Sequence, residues 1–490
     1  MSGLPKGWAI ASIDDLTDPK APICYGVLKP GDRDGASVPM VRVTDIRHDI
    51  LSQAHLMLIS RSLDEEFSRS RIRRGDVLLS IQGTIGRVAI VPDNLPAANI
   101  SRTIARIRPA LPELSRWLWA ALRTPQMQEA MGKETGGSTR DSLNIGALRE
   151  ILIRLPPVAE QRRIVAKLDA LTARTARARA DLDRIPALAA RYKLALLRTA
   201  MRGGLTESWR EQAELEPASA LVERTPAPQQ GRGGREATTG IVPGQAALSV
   251  NDPGTSAPDG WAWTPLLRIA RQETGHTPSR SVDSYWGGEV PWIGIRDAGA
   301  HHGRTIERTL QTITEEGLAN SSARVLPART VCLSRTASVG YVTIMARPMA
   351  TSQDFATWTC SEALEPEFLM YALMAEGDDI RAFGEGSTHT TIYFPEIRAL
   401  HICLPPLAEQ QEIIRRVRAG LTEIDRLTAE AEAARRLLDR LDQAILAKAF
   451  RGELVPQDPA DEPASVLLER IRAERAVAPK TSRGRRKAAA

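Results

Sequence analysis

One long segment of the chain occurs twice without a gap. Residues 155–206 begin with LPPVAEQ and end with MRGGLT, and residues 404–455 begin with LPPLAEQ and end with FRGELV. A second echo follows each copy, EPASALVER at 216–224 and EPASVLLER at 462–470. The stretches before the copies resemble each other only at short motifs, such as KGWAI and DGWAW. This repeat predicts two modules, each with a divergent globular part and a closely similar helical part.

Each repeated segment predicts a long helix. Pro156 and Pro157 favour a helix start, while Gly203 and Gly452 mark helix ends. Between these limits, apolar and small residues alternate at spacings of four and three, with one slip near Leu427: Ile164, Leu168, Leu171, Thr175, Ala178, Leu182, Ile185, Ala189, Tyr192 and Leu196, then Ile414, Val417, Leu421, Ile424, Leu427, Ala431, Ala434, Leu438, Leu441 and Ile445. Such a pattern is typical of a coiled coil. An amphipathic helix lying on one domain is the alternative, but about 45 residues span roughly 65–70 Å, more than a small domain's diameter.

The partner of each helix is predicted to be the other copy. The first helix carries the chain away from the first globular part, and the second returns alongside it. The pair is therefore expected to be antiparallel, and the modules to be related by a pseudo-two-fold axis. Glu160 and Glu409 fall in the first helical turns, where acidic side chains complement the helix dipole. Pro186 has no counterpart in the second copy, where Arg435 stands, and predicts a kink near Ile185.

The predicted fold class is mixed α+β, with two globular domains alternating with two long helices that pair as an antiparallel coiled coil. The repeat sets the expected boundaries: a globular domain at 1–154, a helical region at 155–206, a short helix and flexible linker at 207–257, a second globular domain at 258–403, a second helical region at 404–455, and a tail with a short helix and basic end at 456–490.

Composition limits the functional classes. A net charge of +6 over 490 residues suits a polyanionic partner, although Arg- and Ala-rich usage also follows from genome base composition. No secretory signal and no membrane span of about 18 apolar residues is expected. The cysteines form no CxxC pair, which argues against a zinc ribbon and favours a reducing cytoplasm: Cys24, Cys332, Cys360 and Cys403.

A rod that holds two related but unlike domains at a fixed distance suits a DNA reader. Equivalent domains of dimeric readers lie one helical turn of DNA, ~34–36 Å, or a multiple of it apart. Two domains related by a pseudo-two-fold axis would read two half-sites in inverted orientation, and their divergent sequences would make those half-sites different. The prediction is an asymmetric bipartite DNA target with an unread gap.

This organisation resembles the specificity subunit of type I restriction-modification enzymes. The LPPxAEQ start of each helix, the KAFRGEL exit from Lys448 to Leu454 and the tail QDPADEPASVLLERIRAER at 457–475 carry the resemblance, which covers nearly the whole chain. It implies that each globular half is a target-recognition domain that reads part of a split double-stranded DNA target in the major groove. It also implies that the helices set the gap and dock two methyltransferase subunits, which use S-adenosylmethionine, with motor-nuclease subunits joining for cleavage. Pro186 and the long linker at about 225–257 depart from the family pattern.

Candidate DNA contacts are polar residues in loops of the two globular parts. Arg, Lys, Asn and Gln can read base edges, and Ser and Thr can bind phosphates. The candidates of the first half are Arg42, Ser80, Gln82, Thr84, Arg87, Asn99, Ser101, Arg102, Ser138, Thr139 and Arg140. Those of the second half are Arg296, Ser334, Arg335, Ser338, Tyr341, Ser352, Gln353, Ser387, Thr388 and His389. Ordinary solvated turns use the same residue types, so each assignment has that alternative.

Two groups of candidates have further alternatives. The GGSTR and GSTH motifs lie upstream of the helix starts and could brace each domain against the coiled coil. Arg42 with Asp45, and Arg296 with Asp297, follow strand-like runs of the sequence. Each of these arginines could read a base or form a local ion pair.

No motif for catalysis is found. The chain lacks a GxxxxGK[ST] phosphate loop, and its NDPG segment at 251–254 predicts a turn rather than a base-holding motif. His301 and His302 lack the neighbours of a metal site. We therefore expect a non-catalytic subunit without a metal or cofactor of its own. Two rival hypotheses remain: a coiled-coil scaffold that binds two protein partners without sequence-specific DNA recognition, and an enzyme with an unrecognised active site.

Overall fold

The chain folds into two compact units. The computed structural model describes residues 3–31, 36–47, 49–133, 142–231, 236–384 and 391–477. Unit 1 comprises Met1–Leu182 and Ala433–Ala490, so the first globular part and the end of the chain belong to the same unit. Unit 2 is the continuous stretch Asp183–Glu432.

The globular part of unit 1 is built from small sheets. Its strands are β1 (Ala9–Ser12), β2 (Cys24–Tyr25), β3 (Val38–Val41), β4 (Ile46–Arg47), β5 (Ile50–Leu51), β6 (Met57–Ile59), β7 (Val77–Ser80), β8 (Val88–Ile90), β9 (Asn99–Ile100), β10 (Ile104–Ile107) and β11 (Leu152–Leu155). An antiparallel sheet has the order β2-β10-β7-β8, and a second sheet has the order β6-β3-β9. Strand β1 pairs with β11, and β4 with β5.

Unit 2 has larger sheets. Its strands are β12 (Val242–Pro243), β13 (Leu248–Val250), β14 (Ala262–Pro265), β15 (Ala270–Thr274), β16 (Trp286–Ile293), β17 (Arg304–Ile306), β18 (Gln311–Ile313), β19 (Val331–Ser334), β20 (Val342–Met345), β21 (Ala350–Thr351), β22 (Phe355–Cys360) and β23 (Leu400–Leu404). The sheets have the orders β15-β22-β19-β20-β17, β18-β16-β21 and β12-β13-β23-β14.

Helices fill the repeated segments and cover the sheets, which confirms the mixed α+β class. They are α1 (Arg61–Glu66), α2 (Leu114–Leu122), α3 (Pro125–Lys133), α4 (Ile145–Glu150), α5 (Val158–Leu182), α6 (Ile185–Met201), α7 (Glu207–Arg210), α8 (Ala218–Arg224), α9 (Leu266–Ile269), α10 (Ile295–Ala300), α11 (Glu315–Ala319), α12 (Pro366–Glu376), α13 (Phe394–Arg398), α14 (Leu407–Arg451) and α15 (Ala464–Val477). Short 3-10 helices lie at Val43–Asp45, Ser68–Ser70, Asp283–Tyr285 and Gly377–Phe383. Apolar residues of α2 and α12 join the main cores of their units, with Trp117 and Phe368 fully buried.

Within unit 1, α5 and the C-terminal part of α14 run antiparallel. Arg179, near the end of α5, pairs with Asp439 and Asp442 at 2.8 and 2.7 Å. Arg163, near the start of α5, pairs at 2.6 Å with Asp461, which follows the end of α14. Predicted seam residues are buried between these pairs, among them Ile164, Leu168 and Thr175.

Unit 2 repeats this pairing between α6 and the N-terminal part of α14. Lys193 pairs with Asp425. Beyond the end of α6, the carbonyl of Leu205 accepts a hydrogen bond from Arg416 Nη1 at 2.8 Å. In both units, residue numbers increase along one helix while those of the paired residues decrease along the other. The antiparallel pairing is therefore confirmed within each unit.

The first repeated segment is interrupted rather than kinked. Helix α5 ends at Leu182 and α6 begins at Ile185, with Pro186 in the first turn of α6. The cause is the proline, which has no N–H to donate to the carbonyl four residues earlier and restarts a helix readily.

The predicted seam fails at three positions. Tyr192 is 67% exposed, and beyond the interruption α6 buries Leu197 and Ala200 instead. On α14, Leu427 and Leu441 are also exposed. The interruption at Pro186 shifts the helical phase, so the heptad register of α5 does not continue through α6.

The segment predicted as a flexible linker at 207–257 is partly built into unit 2. Residues 242–243 and 248–250 form β12 and β13, and Leu248 and Val250 are fully buried. Further upstream, Gln230 Nε2 donates to the carbonyl of Ala270 at 3.0 Å. The apolar residues of AALSV provide the burial that the Pro- and Gly-rich part cannot.

A buried tryptophan–glutamate hydrogen bond fixes the start of each long helix. Trp8 Nε1 donates to Glu160 at 3.0 Å, and Trp261 Nε1 donates to Glu409 at 2.9 Å. Both carboxylates are buried. Burial raises the pKa of Glu160. The sequence predicts only a helix-dipole role for these two glutamates.

The EPAS segment of each unit is hydrogen-bonded to the turn that precedes Trp8 or Trp261. Ala464 N donates to the carbonyl of Gly7 at 2.9 Å in unit 1, and Ala218 N donates to that of Gly260 at 2.9 Å in unit 2. Both glycines have positive φ, 81° and 79°, a backbone conformation that residues with a side chain rarely adopt. Unit 1 is therefore completed by α15, which follows the helix of the second repeat, and unit 2 by α8, which follows the helices of the first repeat.

Replacement of the unit 2 carboxylate tests this arrangement. Glu409 accepts hydrogen bonds from Thr206 and from Arg210, whose side chain is only 15% exposed. Glu409→Ala leaves that guanidinium without its counter-charge, and we expect a loss of about 3–5 kcal/mol in the free energy of unfolding, measured with urea. Glu423→Ala, which breaks an exposed ion pair on α14, is the control and should change little. Equal losses in the two variants would contradict a structural role for Glu409.

Candidate nucleic-acid interface

The turn between β7 and β8 is held by a buried serine. The Ser80 hydroxyl donates to the carbonyl of Thr84 and accepts from the amide of Arg87 at 2.8 Å. The amide of Gly86, at φ 91°, donates to the carbonyl of Ser80 at 3.0 Å. These contacts use the hydroxyl inside the turn and leave Thr84 exposed at its tip.

Unit 2 builds the same turn between β19 and β20. The Ser334 hydroxyl donates to the carbonyl of Ser338 and accepts from the amide of Tyr341 at 2.9 Å. The amide of Gly340, at φ 108°, donates to the carbonyl of Ser334 at 3.0 Å. The segments GTIGRVAI at 83–90 and ASVGYVTI at 337–344, which resemble each other only weakly, thus form the same turn with different exposed side chains.

The candidates of unit 1 come together around this turn. Arg87 Nη1 donates to the carbonyls of Val43 and Ile46, which joins the turn to the segment that follows Arg42. The amide of Ser101 donates to the carbonyl of Val41 at 2.9 Å, next to the same segment. Leu143 N donates to the carbonyl of Ile81 at 2.9 Å. Three candidates from the GGSTR motif lie outside the described residues: Ser138, Thr139 and Arg140.

The candidates of unit 2 meet in the same way. Arg335 N donates to the carbonyl of Asp354 at 2.8 Å, and Ser352 N donates to that of Ile293 at 3.1 Å. Ile392 N donates to the carbonyl of Arg335 at 3.0 Å, as Leu143 does in unit 1. The remaining candidates of this half lie outside the described residues: Ser387, Thr388 and His389.

Several candidates are bound within their own domain. Asn99 is buried and donates to Asp64 at 3.0 Å. The Arg335 guanidinium donates to the carbonyl of Gln353 at 3.0 Å and lies 4.4 Å from the ring centroid of Phe394, and burial lowers its pKa. Ser352 is buried, and its hydroxyl donates to Asp354 at 3.0 Å. These side chains shape the loops that carry the others.

Other candidates remain accessible. Arg102 and Arg296 are exposed, and neither side chain has a hydrogen bond or ion pair with any described residue. Gln353 is exposed as well. The half-buried candidates are Arg42, Gln82, Arg87, Ser101, Arg335, Ser338 and Tyr341. The Ser101 hydroxyl shares a hydrogen bond with that of Thr103, and the ring centroid of Tyr341 lies 5.8 Å from that of His302.

Arg42 and Arg296 occupy different places in the repeat. Asp45 accepts from the amide of Arg42 at 2.8 Å, and Asp297 accepts from the amide of Gly294 at 2.9 Å. Each aspartate thus caps the start of its own helical turn by accepting from the amide three residues earlier, so Arg42 corresponds to Gly294. Arg42 forms the local ion pair with Asp45 at 3.2 Å, whereas the Arg296 side chain has no such partner among the described residues.

Sequence reasoning missed the loop that follows β15. Arg280 lies over two indole rings, 5.4 and 5.8 Å from the centroids of Trp286 and Trp292. The Thr277 hydroxyl donates to Gln353 Oε1 at 2.6 Å, so the loop joins the candidate cluster. The signal for this loop in the sequence is a glycine that occurs in both units, Gly26 in unit 1 and Gly275 in unit 2.

That glycine leaves no room for a side chain. A Cβ on Gly275 would lie 1.9 Å from the carbonyl oxygen of Thr351, and one on Gly26 would lie 1.8 Å from that of Ile100. In both units this loop therefore packs closely against the equivalent strand, β9 in unit 1 and β21 in unit 2.

The described residues do not suggest a metal centre, since no group of three or more His, Cys, Asp or Glu side chains among them could hold a metal ion. His301 and His302 instead contact backbone. His302 Nδ1 accepts from the amide of Val342 at 3.0 Å, and burial lowers the pKa of this histidine. In the part of the chain that is described, no helix is long and apolar enough to cross a membrane.

These features define a protein of two repeated α+β modules, each with a polar turn cluster and a long helix. The sequence profile of the type I restriction modification DNA specificity domain matches residues 5–186 and 258–435, which is more than half of the chain. The chain belongs to this family of DNA specificity proteins.

Comparisons with known proteins agree. The chain is 31% identical over 241 residues to the type I restriction enzyme EcoBI specificity subunit of Escherichia coli, over 48% of this chain and 51% of that relative. It is 23% identical over 514 residues to the EcoKI specificity subunit of Escherichia coli (strain K12), over 96% of each chain. A solved chain from a study of complex assembly and conformational transition of the type I R-M system has a TM-score of 0.63 at 21% identity, covering 93% of this chain and 100% of that one. The last likeness shows a shared fold.

The turn geometry yields a stability prediction. Ser80→Ala removes the hydroxyl that bridges the turn and leaves the amide of Arg87 without that acceptor, so we expect a loss of about 1–3 kcal/mol in the free energy of unfolding. Thr84→Ala, at the exposed tip, is the matched control and should be nearly neutral. Urea unfolding monitored by tryptophan fluorescence measures both. A neutral Ser80→Ala variant would show that the hydroxyl does not hold the turn.

Proposed function

We propose that the chain is the target-reading subunit of a type I restriction-modification complex, in which each unit reads one part of an asymmetric, split double-stranded DNA sequence. One observation carries the proposal: both units build the same loop scaffold but present different side chains on it. Ser80 and Ser334 hold equivalent turns, while the exposed position before the capping aspartate is Thr44 in unit 1 and Arg296 in unit 2. A shared scaffold with unlike side chains is what reading two different half-sites requires.

The chemistry of the accessible side chains suits DNA. Arg102 and Arg296 each offer guanidinium donors that no described residue uses, and these donors match phosphate oxygens or the O6 and N7 acceptors of guanine. The net charge of +6 favours the approach of a polyanion. The family match also favours DNA specificity over a scaffold that binds only proteins.

We further propose that the paired helices set the gap between the half-sites and dock two methyltransferase subunits. Exposed apolar side chains on the helices support docking, since such residues on a charged helical surface suit a protein partner. They are Leu188, Tyr192, Leu427, Leu437 and Leu441. Motor-nuclease subunits would join this assembly for cleavage. The pseudo-two-fold relation between the modules stays a prediction.

The chain is proposed to contribute no catalytic chemistry of its own. Its relatives are named as specificity subunits, which supports a division of labour within the complex. In this arrangement the methyltransferase partner binds S-adenosylmethionine and the chain itself needs no cofactor. We place the complex in the cytoplasm, where its DNA target is accessible.

The exposed arginines provide a test of DNA contact. Arg102→Ala and Arg296→Ala should each weaken DNA binding by the assembled methyltransferase complex, and loss of a phosphate contact lowers the salt slope of log K by about 1. Fluorescence anisotropy with duplex DNA at several salt concentrations measures both quantities. Arg347→Ala is the control, because this exposed arginine follows the end of β20 opposite the turn. Binding that is independent of salt in the parent complex would exclude phosphate contact.

Helix length should control the gap in the target. Genome-wide mapping of methylated adenines, with and without this chain, should reveal a split motif that depends on it. Deleting seven residues from each paired helix shortens each by ~10.5 Å, equivalent to roughly three base pairs. We expect a shorter gap, or lost binding, with unchanged half-sites. Altered half-sites at the old gap would contradict the spacer role.

A further inference from the structure

Unit 2 covers both edges of the strand that leads into its long helix. Strand β23 pairs with β14 on one side and with β13 on the other. Strand β13 comes from the segment between the two repeats. It lies antiparallel to β23, with Ser249 opposite His401 and the amide of Cys403 donating to the carbonyl of Ala247 at 2.8 Å. This edge is therefore closed by an extended stretch of polypeptide.

In unit 1 no described strand covers this edge of the equivalent strand, which we call the open edge. Strand β11 leads into the first LPP segment as β23 leads into the second, and among the described residues it pairs with β1 alone. Ile13 N donates to the carbonyl of Ile151 at 3.0 Å, so the pairing with β1 uses alternate residues from Ile151 onward. The backbones of Leu152 and Arg154 face the other way. The carbonyl of Arg154 accepts a hydrogen bond from Trp117 Nε1 at 3.0 Å, whereas no described residue bonds to the Leu152 backbone or to the Arg154 amide.

The surroundings of the open edge are apolar. Leu152 is 58% exposed, and Ile10 on the neighbouring strand is 50% exposed. In unit 2, Ser249 on the covering strand is fully buried. An unpaired strand edge beside exposed apolar side chains is a template for a further strand, and proteins usually cover or charge such edges.

We propose that the open edge of β11 binds an extended segment of the methyltransferase subunit that docks at unit 1. The segment would add as an antiparallel strand in the register that residues 247–250 adopt on β23. A polypeptide is the occupant because unit 2 fills the equivalent edge with polypeptide. The methyltransferase is the partner because β11 continues through Pro156 into α5, which pairs with the part of α14 that carries Leu437 and Leu441 of the proposed docking surface. This inference rests on the proposed function.

The consequence is an asymmetry between the two docking sites. Unit 2 fills the equivalent edge with its own β13, so only the subunit at unit 1 gains the strand contact. The two methyltransferase subunits are then expected to bind with different affinities, the tighter one at unit 1.

Leu152→Pro tests the proposal. Proline removes the edge-facing N–H and leaves the alternate residues that bond to β1 unchanged, and the ψ of 126° at Ile151 suits a residue before proline. We expect about 10-fold weaker binding of one methyltransferase subunit, with the other unchanged, because one or more backbone hydrogen bonds are lost. Calorimetric titration of the full chain with its methyltransferase subunit measures both steps. Leu152→Ala keeps the N–H and is the control, with a smaller effect.

Hydrogen exchange gives an independent measurement on the unmodified chain. The amides of Leu152 and Arg154 should exchange more slowly once the methyltransferase subunits are bound. A complex that forms with two equal affinities and leaves these amides unprotected overturns the inference while the proposed function stands. If no methyltransferase subunit binds, both fail. If the amides are already protected in the free chain and lose protection when residues 478–490 are deleted, the chain covers its own edge and the inference is overturned.

Discussion

The buried hydrogen bond between a tryptophan and a first-turn glutamate is the contact on which each module depends. It joins three parts of a unit: the turn before the first strand, the start of the long helix, and the core. In unit 1 the Trp8 ring lies edge-on to Trp117, with centroids 6.0 Å apart, and in unit 2 Trp261 meets Phe368 in the same way at 6.3 Å. A carboxylate away from water is stable only with hydrogen-bond partners, so the helix start is held in one position.

The two modules complete this contact differently. Glu409 also accepts from Thr206 and Arg210, so unit 2 neutralises its carboxylate with a nearby cation. At Glu160 the indole of Trp8 donates, and burial is the main influence on a raised pKa. Unit 2 also covers its strand edge with β13, while in unit 1 β1 is the one strand that pairs with β11 among the described residues. The two copies of the repeat therefore share the helix start and differ in its surroundings.

The sequence predicts the parts of the fold that depend on local patterns. Prolines and heptad spacing locate α5 and α14, because helix starts and apolar phase are properties of neighbouring residues. The partner of Glu160 is 152 residues away, and no local pattern specifies such a contact. Local patterns do not predict which face of α6 is buried beyond Pro186 either, since the interruption rotates α6 by an amount that packing decides.

Polar loop residues are the hardest to assign from sequence. Ser80 and Thr84 are equally plausible DNA contacts by residue type, yet one hydroxyl is used inside the turn and the other side chain is exposed. Only the backbone path separates them. For the same reason, residue types alone do not single out the loop that carries Arg280, because its two tryptophan neighbours are brought to it by the fold.

The closure of unit 1 by the last helix sets an order of events during synthesis. Unit 2 is one continuous stretch, whereas unit 1 needs Ala464 to reach the carbonyl of Gly7. At about 5–20 residues per second, the ribosome takes roughly 15–60 s to progress from the end of the first globular part to that residue. In the nascent chain, unit 1 therefore stays incomplete until the C-terminal part of the chain has emerged from the ribosome.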